Sequence, residues 1–237
     1  MNLYDNVINE CMEILNQYNG RRLNVHKSDW KQEKEQRLIL KSDMAYELGG
    51  SSSHAISGLA FSNAYKGIKD EIWLYGSDLK DIKKDTDYAR LTILYIDDRE
   101  WNDSDKAYAG MRNIDYTRYH VYPRGFMIRI SAVAEREPVR IERKAVEEGL
   151  DFEKVGNVFI EKYHTHKEVK AVKIIFITEK NFPYELLFRK TEKMEAITES
   201  LNTIFKNLLM DCTTCGLKKV CDEVEGMKEL HFGMLQK

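Results

Sequence analysis

The stretch VKAVKIIFIT, residues 169–178, constrains the fold of this chain more than any other part of the sequence. Most of its positions are apolar and many are β-branched, so both faces of a strand formed here would have to be buried. Strands buried on both faces lie inside a sheet, with other elements packed above and below. The sequence therefore predicts a sheet with this strand near its centre.

Helical periodicity marks segments on both sides of this strand. Apolar residues recur there every three or four positions, which is the pattern of a helix with one buried face. Cys11 falls on such a face and is interpreted as a packed core thiol, because a free cysteine behaves as a small hydrophobic residue. The predicted helices cover 3–18, 151–165 and 184–210.

Further strands are predicted where β-branched and aromatic residues cluster between turn residues. These segments are DEIWLYG (70–76), ARLTILYIDD (89–98) and RGFMIRISAVAE (124–135). Pro138 is interpreted as the first turn of a helix that ends at Gly149. The small-residue stretch from Gly49 to Gly58 is interpreted as a loop that enters a short helix.

The expected fold class is α+β, with a single compact domain whose mixed β-sheet is packed by helices. That domain is assigned to residues 1–210, and a short C-terminal cysteine-containing segment to residues 211–237.

Charge and hydropathy narrow the functional classes. The formal net charge of −2 argues against a nucleic-acid binder, and no apolar run approaches the roughly 20 residues of a membrane span. The N-terminus carries acidic residues and lacks the basic start of a signal peptide. A cytoplasmic protein with reduced cysteines is therefore expected, and clustered cysteines then indicate metal or redox chemistry.

Three of the four cysteines lie near the C-terminus with the spacing C-x2-C-x5-C, namely Cys212, Cys215 and Cys221. Two thiolates three residues apart can reach one metal ion, although a structural site usually has four ligands. Three interpretations stay open. The segment binds an iron–sulfur cluster or zinc, its ligand set is completed only in a complex, or it is a remnant that binds nothing.

Several stretches occur in the order found in one known family. They are YDNVINECMEI, DMAYELGG, IWLYGSDLKDI, LTILYIDD, VRIERKAVEEGLDFEKVGNVFIE and IIFITEKNF, followed by the cysteine segment. From about Tyr4 to Cys221, the chain resembles the middle region of the acetyl-CoA synthase (beta) subunit of the carbon monoxide dehydrogenase/acetyl-CoA synthase complex. Each stretch is weak alone, and their common order carries the resemblance.

The resemblance implies a use for the cysteines. The family holds a four-iron four-sulfur cluster, bridged to nickel, on a four-cysteine motif whose start matches Cys212, Cys215 and, less well, Cys221. His231 stands where the family has its fourth cysteine. Cys₃His is an accepted zinc ligand set, and histidine replaces cysteine on iron in some clusters. The expected cofactor at these four residues is therefore an iron–sulfur cluster or zinc.

The resemblance also gives meaning to a run of arginines. Six lie between Arg118 and Arg143, a region that the family associates with coenzyme A, whose phosphates suit guanidinium groups. Nearby acids, among them Glu135, Glu137 and Glu142, could instead neutralise them as surface ion pairs. The arginines assigned to a shared coenzyme A face are Arg124, Arg129, Arg140 and Arg143.

The resemblance implies an accessory protein of anaerobic one-carbon metabolism, acting in the acetyl-CoA pathway or in corrinoid methyl transfer. We expect a binding or assembly module without independent synthase activity, because the family's later nickel-ligand motif does not occur within the 237 residues. Its partner would be a corrinoid iron–sulfur protein or another subunit of that pathway. The alternatives are one chain of a split acetyl-CoA synthase, which would be an acyltransferase, and a metal- or redox-sensing domain.

Overall fold

The structure is a computed structural model that describes residues 2–50, 53–101, 103–129, 131, 136–206 and 224. The helices of this part of the chain are α1 (Asp5–Leu15), α2 (Ser104–Thr117), α3 (Arg143–Glu147), α4 (Phe152–Tyr163) and α5 (Tyr184–Lys206). The strands are β1 (Gly20–Leu23), β2 (Met44–Leu48), β3 (Ala55–Ser62), β4 (Glu71–Tyr75), β5 (Tyr88–Ile96), β6 (Phe126–Ile128), β7 (Val139–Glu142) and β8 (Val169–Ile177). This is the α+β fold that the sequence predicts.

The larger sheet has the strand order β1-β4-β8-β5-β3. Strand β8 is its central strand, antiparallel to β5 and parallel to β4, so the sheet is mixed. From Ile174 to Ile177 every side chain of β8 is fully buried. The prediction that 169–178 forms an interior strand is therefore confirmed.

Helices cover both faces of this sheet. On one face α5 packs against β3 so closely that a Cβ atom at Gly58 would lie 2.5 Å from Thr191 Cγ2. On the other face α4 packs against β4, where a Cβ at Gly156 would lie 2.7 Å from Ile72 Cδ1. Real Cβ atoms do not approach other atoms so closely, and these two glycines let the helices lie directly on the strands.

The ends of α4 follow from its sequence. Asp151 caps the N-terminus, since its side chain accepts a hydrogen bond of 2.8 Å from the backbone N–H of Lys154. The helix buries Phe152, Val155 and Phe159 as its periodicity requires.

Helix α1 also buries the apolar face that its periodicity predicts. Cys11 on this face is fully buried, and burial raises the pKa of its thiol to about 12. Cys11 is thus a core residue, as expected.

A second, smaller sheet has the order β2-β7-β6 and is antiparallel throughout. Its inner face packs on α4, with the rings of Phe126 and Phe159 6.5 Å apart. The hydroxyl of Tyr46, also on this face, donates to the backbone carbonyl of Leu79 at 2.5 Å. The small sheet is therefore joined to the large one through α4 and the loop that follows β4.

Two local predictions are wrong. Pro138 does not open a helix: residues Val139–Glu142 form β7, and only Arg143–Glu147 are helical before Gly149. The stretch after Gly49 leads into β3, which begins at Ala55, and not into a short helix. In both places the deciding factor is pairing with distant strands, namely β2 and β6 for β7, and β5 for β3.

Candidate anion-binding site

The outer face of the small sheet places an acid and a base side by side. Glu47 of β2 pairs directly with Arg140 of β7, which pairs in turn with Met127 of β6. Residues directly opposite each other on neighbouring strands point to the same face. The neighbouring pairs Tyr46–Ile141 and Ile141–Phe126 point inward, so Glu47, Arg140 and Met127 share the outer face.

Two guanidinium groups converge on the Glu47 carboxylate. Arg129 Nη1 lies 2.5 Å from Glu47 Oε1, and Arg140 Nε lies 3.5 Å from the same oxygen. Arg140 also donates from Nη1 to the backbone carbonyl of Ile39 at 3.0 Å, which fixes the direction of its side chain. We call Glu47, Arg129 and Arg140 the arginine cluster. Its arginines outnumber its carboxylates by two to one.

Arg136 extends the positive charge toward the start of β3. Its Nη2 donates to the backbone carbonyl of Gly50 at 3.4 Å. An acid lies on the same side, because Asp85 accepts the backbone N–H of Glu47 at 2.7 Å. The formal charge of the arginine cluster together with Arg136 and Asp85 is +1. The site is therefore cationic but partly neutralised from within.

Arg124 and Arg143, the other two arginines assigned from the sequence, have partners of their own. Arg124 is ion-paired with Glu148, and this hydrogen bond raises the pKa of Arg124 and lowers the pKa of Glu148. Arg143 begins α3 and donates from Nη2 to the backbone carbonyl of Met44 at 3.2 Å. The structure thus brings Arg129 and Arg140 onto one group, while Arg124 and Arg143 contact other groups.

Sequence analysis missed a buried ion pair behind this surface. Arg90 of β5 is 1% exposed and Glu137 is 2% exposed, with Arg90 Nη2 lying 2.7 Å from Glu137 Oε1. Ser57 of β3 donates to Glu137 Oε2 at 3.1 Å, and the Arg90 guanidinium lies 4.2 Å from the centre of the Phe159 ring. Burial by itself would lower the pKa of Arg90, but Glu137 outweighs it, so the pKa is raised.

This ion pair fixes the segment that enters β7. Glu137 lies one residue from Arg136 and three from Arg140, so its anchoring to β5 helps to set where both arginines stand. The sequence signal was available, because Arg90 is the only charged residue of β5 in a run of buried positions. A lone buried arginine requires a buried carboxylate. The alternative that Glu137 pairs with the arginines on the surface is wrong, because Glu137 lies in the core.

Of the other acids that the sequence offered as alternative partners of the arginines, Glu142 lies 3.5 Å from Arg37 Nη2, and Glu135 lies outside the described residues. Arg118 is buried and lies 2.9 Å from Asp115 Oδ1. Among the described residues, the carboxylates in ion pairs with the arginine run are Glu47, Asp115 and Glu148.

The predicted metal ligands Cys212, Cys215, Cys221 and His231 all lie outside the residues that the structure describes. Within the described part of the chain, no group of three or more histidine, cysteine, aspartate or glutamate side chains is arranged to hold a metal ion. The metal assignment therefore stays a prediction from the sequence.

Comparison with known proteins gives one family. The family model described as CO dehydrogenase/acetyl-CoA synthase complex beta subunit matches residues 29–182, which is well over half of the 237 residues. The matched range contains the whole arginine cluster and the Arg90–Glu137 pair, and it ends before the cysteine segment. No curated protein matches the chain significantly. Among the helices that the structure describes, none has the length and apolar character needed to cross a membrane.

Proposed function

Since the chain belongs to the family of CO dehydrogenase/acetyl-CoA synthase complex beta subunits, we propose that it is a binding module of anaerobic one-carbon metabolism that recognises a phosphate-bearing ligand such as coenzyme A. The observation that supports this proposal is the convergence of Arg129 and Arg140 on one carboxylate oxygen of Glu47.

The Glu47 carboxylate stands where a phosphate of the ligand would bind. Two guanidinium groups that can reach one carboxylate oxygen can also reach one phosphate oxygen, and phosphate adds further acceptors. A bidentate arginine–phosphate contact contributes about 1.5–3 kcal/mol. Because Glu47 competes for the same donors, ligand binding would require its displacement, and Arg136 and the surplus positive charge would favour the anion over it.

The proposed site predicts opposite effects for the two kinds of residue in it. Replacing Glu47 with Gln removes the competing charge, so coenzyme A should bind about tenfold more tightly, which corresponds to ~1.4 kcal/mol. Replacing Arg140 with Met removes a donor whose direction is fixed, and binding should weaken about tenfold or more. Calorimetric titration with coenzyme A at low salt measures both effects.

Arg189→Gln is the matched control, since Arg189 is exposed on α5 and outside the cluster. It should bind coenzyme A as the unmodified chain does. A titration without heat at millimolar ligand, or equal affinity in the Glu47 and Arg140 variants, would contradict the proposal. Inorganic pyrophosphate as a second titrant shows whether the phosphates or the rest of coenzyme A carry the affinity.

The cysteine segment is proposed to bind metal. Cys212, Cys215 and Cys221 would supply thiolates to an iron–sulfur cluster or to zinc, and His231 is the candidate fourth ligand. The support is the CxxC spacing and the resemblance of the segment to the family motif. The two other interpretations, completion of the ligand set by a partner and loss of the site, make different predictions for metal content.

Anaerobically purified protein should contain iron with sulfide, or zinc, and the Cys215→Ser variant should contain much less, because one thiolate ligand has been removed. Elemental analysis and the visible absorption spectrum measure the two proteins side by side. The Cys11→Ser variant is the control, since Cys11 is buried in the core and not a candidate ligand. Equal metal content in the Cys215→Ser and unmodified proteins, or none in either, would identify the segment as a remnant.

The proposed setting is the cytoplasm of an anaerobe, and the proposed partner is a corrinoid iron–sulfur protein or another acetyl-CoA pathway subunit. The support is the family itself, whose description names a complex. Size-exclusion chromatography of the chain with each candidate partner, prepared anaerobically, tests this part of the proposal directly.

A further inference from the structure

A groove of about 790 Å³ lies where β1 ends and β4 and β8 begin, away from the arginine cluster. It is open along its length rather than enclosed. Its cationic and exposed aliphatic lining residues come from three separate parts of the chain, namely Arg22, Val25, Ile68, Lys69 and Lys170. We call these five residues the basic groove.

In the part of the chain that the structure describes, two of the three cations of the basic groove have no carboxylate within ion-pair distance. Asp97 interacts with Lys170 at longer range, because Lys170, after the hydrogen bond with Arg99, contributes to lowering the pKa of Asp97. Within the described residues, neither Lys69 nor Lys170 is in an ion pair, and Lys170 Nζ donates only to the backbone carbonyl of Lys167, at 2.7 Å. Both side chains belong to exposed residues. Arg22 is different, because its Nη2 lies 3.3 Å from Glu71.

One acid that lines the groove, Asp70, and one that lies beside it, Glu71, both accept from other donors. Asp70 accepts the backbone N–H of Val172 at 2.8 Å and lies 3.0 Å from His164 Nε2. Glu71 accepts from Trp73 Nε1 at 3.0 Å and lies 3.3 Å from Lys173 Nζ. Each carboxylate already has partners, and among the described residues neither is in an ion pair with Lys69 or Lys170. The groove is lined by three cations, Arg22, Lys69 and Lys170, against the single acid Asp70. The groove therefore keeps a positive charge.

The groove also exposes apolar surface. Val25 is 38% exposed and Ile68 is 41% exposed, and these are two of the few large aliphatic side chains that the described part of the chain leaves in solvent. Single exposed aliphatic residues are ordinary, but here two lie in one groove together with two lysines that are in no ion pair with any residue the structure describes. An occupant that matches this surface carries negative charges and aliphatic groups together.

We propose that the basic groove docks an acidic segment of a partner protein that also carries aliphatic side chains. Charge complementarity favours acidic residues opposite Lys69, Lys170 and Arg22, and the aliphatic residues of the segment would cover Val25 and Ile68. A free phosphate compound fits less well. Among the described residues that line the groove, the one guanidinium is held by Glu71 and none lies at a helix N-terminus, so the usual donors for phosphate are not offered there.

The test uses a fluorescently labelled peptide of alternating Glu and Val residues, and the same peptide with Gln in place of Glu. The full chain should bind the Glu peptide, more weakly as salt is added, and bind the Gln peptide much more weakly. A Lys69→Glu/Lys170→Glu variant should lose about tenfold or more in affinity, because like charges then face each other. Fluorescence anisotropy measures these affinities.

The matched control is a Lys83→Glu/Lys84→Glu variant, which makes the same charge change in exposed residues of the loop between β4 and β5. It should bind the Glu peptide as the unmodified chain does, and both variants should keep the thermal midpoint, since all four lysines are exposed. The proposal is overturned if both variants lose affinity equally or if the Gln peptide binds as well. It is also overturned if nothing binds at millimolar peptide, or if pyrophosphate binds the groove more tightly than the peptide.

Discussion

Replacing Arg90 with Met should lower the free energy of unfolding by about 3–5 kcal/mol, one of the largest effects expected for a single polar residue of this protein. The substitution leaves the Glu137 carboxylate buried at 2% exposure, and among the described side chains only the Ser57 hydroxyl still donates to it. An unpaired buried charge costs far more than the net contribution of the pair itself. Urea unfolding followed by circular dichroism gives the free energy and its denaturant slope.

The double variant Arg90→Met/Glu137→Met distinguishes the contribution of the ion pair from the cost of leaving one charge buried alone. Because it removes both charges, it should recover most of the stability lost in Arg90→Met, and buried ion pairs replaced by apolar residues are often neutral. Ser57→Ala removes one hydrogen bond and should cost only about 1 kcal/mol. If the double variant were as unstable as the single one, packing against Phe159 would explain the loss better than charge.

An exposed ion pair provides the comparison. Lys167 and Glu100 lie 2.7 Å apart, close to the Arg90–Glu137 distance, but both side chains are 72% exposed. Water and salt screen such a pair, so Lys167→Met should leave the urea midpoint unchanged within error. The contrast between the two pairs, at nearly equal distance, isolates the contribution of burial.

The sequence was informative where local pattern and final environment agree. Strand β8 is apolar at most positions because both of its faces are covered, and that composition predicts an interior strand directly. Helix α4 begins close to its predicted start because the Asp151 side chain can cap it locally. Such elements need no knowledge of the rest of the chain.

The predictions failed where distant strands decide the local conformation. The segment VRIE is too short for its alternation to exclude a helix, and Pro138 is compatible with either a helix start or a strand start. Its strand conformation comes from pairing with β2, about a hundred positions earlier, and with β6.

In the candidate site, too, the sequence indicates the residue types but not which residues pair with each other. Arginine is readily identified as an anion ligand by its chemistry, and Arg129 and Arg140 do lie together. Glu47, which joins them, is 82 positions from Arg129, so no local pattern could identify it as their partner. Arg90 could have been identified as a buried charge, but its partner Glu137 lies 47 positions later, in the segment that enters β7. Residue type is encoded locally, and pairing is set by topology.

Replacing Ile175 with Asp should cost several kcal/mol and abolish cooperative folding near room temperature if the protein has ordinary stability. Ile175 is fully buried at the centre of β8 and pairs with Leu91 on one side and Trp73 on the other. An aspartate there would have apolar neighbours on both adjoining strands. Thermal unfolding of the purified variant, followed by circular dichroism, measures the effect.

Ile175→Val is the control that keeps the position apolar, and it should cost only about 0.5–1.5 kcal/mol through the loss of one methylene group. A variant that fails to fold still leaves the prediction testable, since Ile175→Asn carries no charge and should be less damaging than Asp. If Ile175→Asp melted at the temperature of the unmodified chain, β8 could not be the buried centre of the sheet. The positions of β4 and β5, and with them Arg90 and the segment that carries Arg140, would then need another explanation.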